Sequence, residues 1–228
     1  MQFPELIVML THNDRTVEQA FQIFDENKDS SATCWGFKEE PLPPKAMKEL
    51  AAYMKACGKT TYLEVVAYTQ PECVAGARAA IDCGVDYLMG TLYSDTINDM
   101  CRDAGIRYMP FVGRVSQRPS ILEGTVEEMV DEARRYAEKG VYGIDLLGYR
   151  YTGNAPQLNS AFTKAMDELG IPVCLAGSIN SFARLDEVRQ ANPRTFTIGS
   201  AFFDHAFGPS FGQQIETVRA YMRKEETP

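Results

Sequence analysis

The chain has 228 residues, 45% of them apolar, and its 31 acidic and 23 basic residues leave a net charge of −8. This composition excludes wholesale disorder, and the acidity argues against non-specific nucleic-acid binding. No apolar stretch approaches the roughly 18 residues needed to span a membrane. The opening Met1-Gln2-Phe3-Pro4-Glu5 lacks the basic segment and apolar run of a signal peptide. A soluble cytoplasmic protein is expected, with no membrane and no nucleic-acid partner. The six cysteines are scattered without a CxxC pair and read as reduced thiols, mostly buried.

In chain order, short β-rich runs alternate with amphipathic stretches eight times. The pattern predicts strands over 5–11, 31–37, 60–68, 86–93, 107–115, 142–149, 172–179 and 195–200. Helices are predicted between them over Thr16–Glu26, Pro44–Cys57, Glu72–Cys83, Thr96–Ala104, Val126–Lys139, Gln157–Leu169 and Phe182–Gln190, with a last one over Gly212–Lys224. Gly58, Gly84, Gly105, Gly140 and Gly170 each stand where a helix ends just before a strand, the place of a left-handed C-cap. Thr125-Val-Glu-Glu128 and Ser210-Phe-Gly-Gln213 match capping boxes. No linker divides the chain, so one domain is expected. Units of about 28 residues favour a closed α/β (β/α)8 TIM barrel over an open doubly wound sheet. A GxGxxG turn after the first strand is also absent, Leu10-Thr11-His12-Asn13-Asp14 standing there instead.

Strands seven and eight end in the same way. Leu175-Ala176-Gly177-Ser178-Ile179-Asn180 and Thr197-Ile198-Gly199-Ser200-Ala201-Phe202-Phe203 both break at Gly-Ser before a helical stretch. Two such turns offer bare backbone N–H groups to a phosphate dianion. In a TIM barrel phosphate commonly binds after these two strands. Over roughly residues 172–204 the chain resembles the ribulose-phosphate-binding group of TIM barrels, which includes sugar-phosphate isomerases and epimerases. The resemblance implies that the backbone at Gly177, Ser178, Gly199 and Ser200 holds a substrate phosphate; it transfers no catalytic residue. Asn180 is a further candidate, as a substrate ligand or as the cap of helix seven. The whole chain also looks like short bacterial proteins labelled 4-hydroxythreonine-4-phosphate dehydrogenase. The residues do not support that label: the enzyme of that name resembles a larger open protein with a metal held by three histidines, and this chain has only His12 and His205.

Charged residues near the strand ends are the candidates for chemistry. Glu64 and Asp145 interrupt apolar runs in strands three and six, where a pair of buried carboxyls can act as general acid and base or simply neutralise barrel cations. Lys38 closes strand two beside Phe37 and can stabilise an enediolate, carry a proton or form a Schiff base; alternatively it is a solvated loop residue beside Glu39 and Glu40. Arg114, at the end of strand five, is placed either to grip an anion or to neutralise Glu64. The loop Ser116–Gly124 behind it is long enough to be a lid. His12 is a candidate base or metal ligand at the rim, with Asn13 or Asp14 capping the first helix. Tyr68, Thr91, Tyr93, Tyr149 and Tyr151 add hydroxyls suited to a polyhydroxy substrate or to the barrel wall.

No metal-ligand spacing appears, and no cofactor is called for. The expected partner is a small phosphorylated substrate, and a homodimer is the default assembly. The expected activity is proton abstraction next to a carbonyl in a sugar phosphate, of the isomerase or epimerase type. A carbon–carbon lyase and a non-catalytic phospholigand-binding barrel are the alternatives.

Overall fold

The computed structural model describes residues 3–223. The barrel strands are β1 (Glu5–Met9), β2 (Cys34–Lys38), β3 (Thr60–Val65), β4 (Tyr87–Gly90), β5 (Arg107–Met109), β6 (Ile144–Leu146), β7 (Val173–Leu175) and β8 (Thr195–Ile198). They form one parallel sheet in the order β6-β7-β8-β1-β2-β3-β4-β5. The two edges meet, because Tyr142 N donates to Tyr108 O (3.1 Å) and Asp145 N to Pro110 O (3.0 Å). The sheet is thereby closed into a barrel.

The surrounding helices are α1 (Ala20–Asn27), α2 (Pro44–Ala56), α3 (Gln70–Cys83), α4 (Asp95–Ala104), α5 (Val126–Glu138), α6 (Ala155–Glu168) and α7 (Phe182–Ala191), followed by a four-residue turn of helix α8 (Ser200–Phe203) and then α9 (Phe211–Met222). Lys224, the end of the last predicted helix, lies outside the described residues. None of the described helices is long and apolar enough to cross a membrane. Gly84 and Gly105 are left-handed C-caps, and Gly58, Gly140 and Gly170 take positive φ one residue beyond theirs. Thr125 and Glu128 close a reciprocal capping box. Ser210 accepts from Gln213 N, but the return contact goes to its hydroxyl and not to its backbone, so only half of the second box forms.

Side chains alternate across a strand, and two buried layers result. Leu6, Val8, Trp35, Phe37, Leu63, Val65, Leu88, Ile144 and Phe196 face outward into the shell between barrel and helices. Ile7, Met9, Cys34, Tyr62, Tyr87, Met89, Met109 and Cys174 fill the interior. The same parity, carried to the ends of β2 and β3, turns Lys38 and Glu64 inward.

Several predicted elements are shorter than expected, and two of these differences move candidate residues. The first helix begins at Ala20 and not at Thr16, with Gln19 before it and no side-chain cap, so neither Asn13 nor Asp14 caps it. Residues 11–16 instead form an antiparallel ribbon, Thr11–His12 against Arg15–Thr16, turned by Asn13 (φ 49°) and Asp14 (φ 65°). Positive φ at both central residues is the signature of a tight hairpin turn matched to strand twist. The fifth strand stops at Met109, because Pro110 has no N–H to continue the ladder. Gly113 (φ 74°) then redirects the chain into a second ribbon, Arg114–Ser116 against Ile121–Glu123.

Candidate active site

A cleft of about 230 Å³ opens at the C-terminal ends of the strands. Gly177, Ser178, Asn180, Gly199 and Ser200 line one side of it, and Asp14, Lys38 and Glu64 the other. The sequence-predicted phosphate turns and the strand-two and strand-three candidates therefore share one cavity.

On the phosphate side, glycine is required twice. A Cβ on Gly199 would lie 2.3 Å from Thr11 Oγ1, and one on Gly177 (φ 118°) would lie 3.1 Å from Tyr149 Cβ. Ser200 and Ala201 open α8, so their N–H groups have no intrahelical partner. Ser200 Oγ accepts from Asn13 N (3.1 Å), which ties the first ribbon to this turn and leaves the hydroxyl proton free to donate. Helix α7 is capped by Ser181, whose Oγ accepts from Arg184 N at 3.3 Å, so Asn180 is left to face the cleft. Arg150, on the single turn of 3-10 helix Gly148–Arg150 after β6, also lines the cavity. No carboxylate among the described residues pairs with it. Sequence reasoning missed this residue; its signal was an arginine directly behind the Gly148-Tyr149 break of the sixth strand.

On the opposite side, register decides the geometry. Lys38 and Glu64 are directly paired positions of β2 and β3, and Lys38 Nζ lies 3.5 Å from Glu64 Oε1. The ammonium also donates to Asp14 Oδ1, which the tight Asn13-Asp14 turn brings over it. Both Lys38 and Glu64 are 7% exposed at the side chain. Burial pushes the Lys38 pKa down, but the charges of Glu64 and Asp14 outweigh it and hold the amine above its ordinary value, as an ammonium. Burial raises the Glu64 carboxyl, and Lys38 pulls it only partly back.

Asp145, on β6, does not line the cleft; it is fully buried, and neither of its carboxyl oxygens has a hydrogen-bond partner. Burial first, and then the charge of Glu64, push its pKa well above the ordinary range. Asp14 and Glu64 already share the one ammonium, and Asp145 feels the charge of Glu64 without a contact of its own to Lys38, so full ionisation of all three carboxyls is disfavoured. Asp145, with no donor to stabilise its anion, is the group that keeps a proton.

Thr16 fixes the end of β2. Its Oγ1 accepts from Lys38 N (2.8 Å) and donates to Lys38 O (2.9 Å). Thr16→Val keeps the shape and removes both bonds. The expected cost is about 1–3 kcal/mol of stability in urea denaturation, with reduced turnover because the lysine is no longer pinned.

Two candidates stand elsewhere. Arg114 is 70% exposed at the side chain and lies 4.0 Å from Glu128, on the outer ribbon, because the barrel strand ends before it. It neither faces the cleft nor neutralises Glu64. His12 does not line the cleft; its Nε2 donates to Asp204 Oδ1 (3.0 Å), and its ring packs on Phe203 at 5.5 Å. Among the described residues, no group of three or more His, Cys, Asp or Glu side chains is placed to share a metal ion. Of the hydroxyl candidates, Tyr68 serves the second ribbon: it donates to Gln117 O (2.8 Å) and accepts from Ser120 Oγ (2.8 Å). Arg118 at the ribbon tip reaches Glu39 (2.9 Å), Glu40 and the carbonyl of Val66. The tip is thus strapped to the ends of β2 and β3, and Ser120 becomes part of the cleft wall.

No protein-family model matches the chain, and no curated protein matches it. Several solved structures share its fold. Orotidine 5'-phosphate decarboxylase from Pyrococcus horikoshii OT3 superposes with a TM-score of 0.72 at 16% identity, over 96% of this chain and 100% of that one. N-(5'-phosphoribosyl)anthranilate isomerase from Pyrococcus furiosus gives 0.65 at 11% identity, over 96% and 98%. A 4-hydroxy-2-oxoglutarate aldolase from TTHB1 gives 0.64 at 14%, over 95% and 92%. The chain is an α/β protein with the TIM-barrel architecture that these structures share.

Proposed function

We propose that this protein is an enzyme acting on a small phosphorylated metabolite, most naturally a sugar phosphate, by removing a proton next to a carbonyl, as isomerases and epimerases do. The observation that carries the reading is the single cleft in which the two Gly-Ser turns and Arg150 face the Asp14–Lys38–Glu64 cluster. The phosphate sits on the N–H groups of the turns, with Arg150 as its counter-charge. Glu64 takes the proton, since it lines the cleft beside the ammonium and burial raises its carboxyl above the ordinary range, which makes it a stronger base. Lys38 stabilises the developing enediolate as an ammonium.

A carbon–carbon lyase is the second reading, and one observation favours keeping it. A buried ammonium stabilises a carbanion whichever bond is broken to make it, and a decarboxylase and an aldolase stand beside an isomerase among the structures of the same fold. A Schiff base at Lys38 is disfavoured, because that chemistry needs the free amine and the two carboxylates hold the proton on.

The test is incubation with a panel of phosphorylated aldoses and ketoses in D2O, followed by NMR. Exchange of a proton next to the carbonyl, lost in Glu64→Gln, is expected. Cleavage products without exchange would decide for the lyase. Saturable binding with neither would remove the catalytic reading and leave a phospholigand-binding barrel.

A further inference from the structure

The barrel has a second mouth, at the N-terminal ends of its strands. A cavity of about 490 Å³ opens there, and it shares no lining residue with the cleft at the other end. Its floor departs from the aliphatic packing usual in a barrel interior. Tyr62 and Tyr87 stack at 4.4 Å with their planes 12° apart, and Tyr142 meets Tyr87 edge-on at 5.4 Å. Arg107 lies 5.2 Å over both the Tyr87 and the Tyr142 rings and donates to Tyr87 Oη at 2.7 Å. Arg194 lines the same cavity and Arg223 joins it.

The charge here runs against that of the whole molecule. No carboxylate among the described residues lies within ion-pair distance of Arg107, Arg194 or Arg223. Glu5, the one acid lining the cavity, is already paired with Arg219. An arginine held by rings and a phenol instead of by an acid keeps its outer N–H groups open, and its fork matches a carboxylate. Ring faces beside it suit a flat body.

From this arrangement we infer that the N-terminal mouth is a second ligand site, taking a small planar organic dianion that Arg107 and Arg194 bind through its carboxylates while its flat face lies on the tyrosine floor. It is independent of the reaction proposed for the other end.

The experiment is calorimetric titration of the full chain with phthalate, a planar dianion, and with succinate, a flexible one of the same charge. Saturable phthalate binding is expected, at least tenfold tighter than succinate. Arg194→Gln, at an exposed side chain with no bond to lose on folding, is expected to weaken it at least tenfold, and Arg107→Gln likewise. Arg150→Ala, at the opposite mouth, is expected to leave it unchanged. Absence of saturable binding, equal binding of succinate, survival of binding in both arginine variants, or its loss in Arg150→Ala would each overturn the assignment.

Discussion

Lys38→Met is expected to lower turnover by at least 10² to 10³, the range for removing a preorganised charge at a reacting oxygen, and to cost about 3–5 kcal/mol of stability at pH 8. Both effects have one origin. Among the described residues the ammonium is the only cation in contact with Glu64 and Asp14, and without it Glu64 is an unpaired carboxylate in a buried site. A group so placed takes up a proton instead of staying charged. The cost should therefore depend on pH, with a definite sign. In the variant the folded-state pKa of Glu64 rises further above its unfolded value, so the native state holds a proton that the unfolded chain has released. Stability relative to the parent then falls as pH rises above the parent's own raised Glu64 pKa toward 8, and recovers on acidification. Urea denaturation at pH 5, 6.5 and 8 measures this. A deficit that stays constant across that range, or a variant with full turnover, would contradict the role given to Lys38.

Asp145→Asn is expected to do the reverse for stability: the variant should be more stable than the parent at neutral pH. The parent must keep a proton on a buried carboxyl that the unfolded chain gives up above its ordinary pKa. The difference should widen by about 1.4 kcal/mol per pH unit above that point, the slope for one proton, until the folded-state pKa is reached. The amide is neutral, as Asp145 itself is held, so the substitution leaves the field at Glu64 nearly unchanged below that limit. Asp145 does not line the cleft, so turnover is expected to change far less than in Glu64→Gln. If the denaturation curves of parent and variant coincide at pH 5 and pH 8, Asp145 is not the group that keeps the proton.

Much of the fold was legible because its punctuation is chemical. Each of Gly58, Gly84, Gly105, Gly140 and Gly170 marks a chain reversal that no Cβ-bearing residue makes as cheaply. The strand ends were less legible, since apolar character continues past the last ladder bond. Val66 and Ala67, and Val112 and Val115, are buried beyond β3 and β5 without belonging to them. Hydropathy reads burial and not pairing, and that is why Arg114 was placed at the end of a barrel strand it never joins. The Glu64–Lys38 contact follows from alternation and register. The Asp14–Lys38 contact does not: it needs two consecutive positive φ values at Asn13 and Asp14, without a glycine to announce them. Arg150 escaped for a related reason, the sixth strand ending at Leu146 and the following 3-10 turn returning the chain to the cleft.

The strapped ribbon fixes one wall of the mouth. Its tip is bound over the ends of β2 and β3 through Arg118 and Tyr68, and at its other strand Leu122 O accepts from Thr152 N at 3.0 Å. Under the proposed function, a substrate whose phosphate sits on the turns after β7 and β8 would extend from them toward that wall. The turns would then act as a stop that sets how far its other end reaches. In a space of about 230 Å³ that stop would also be a ruler: a molecule too long could not seat its phosphate, and one too short would not reach the ammonium.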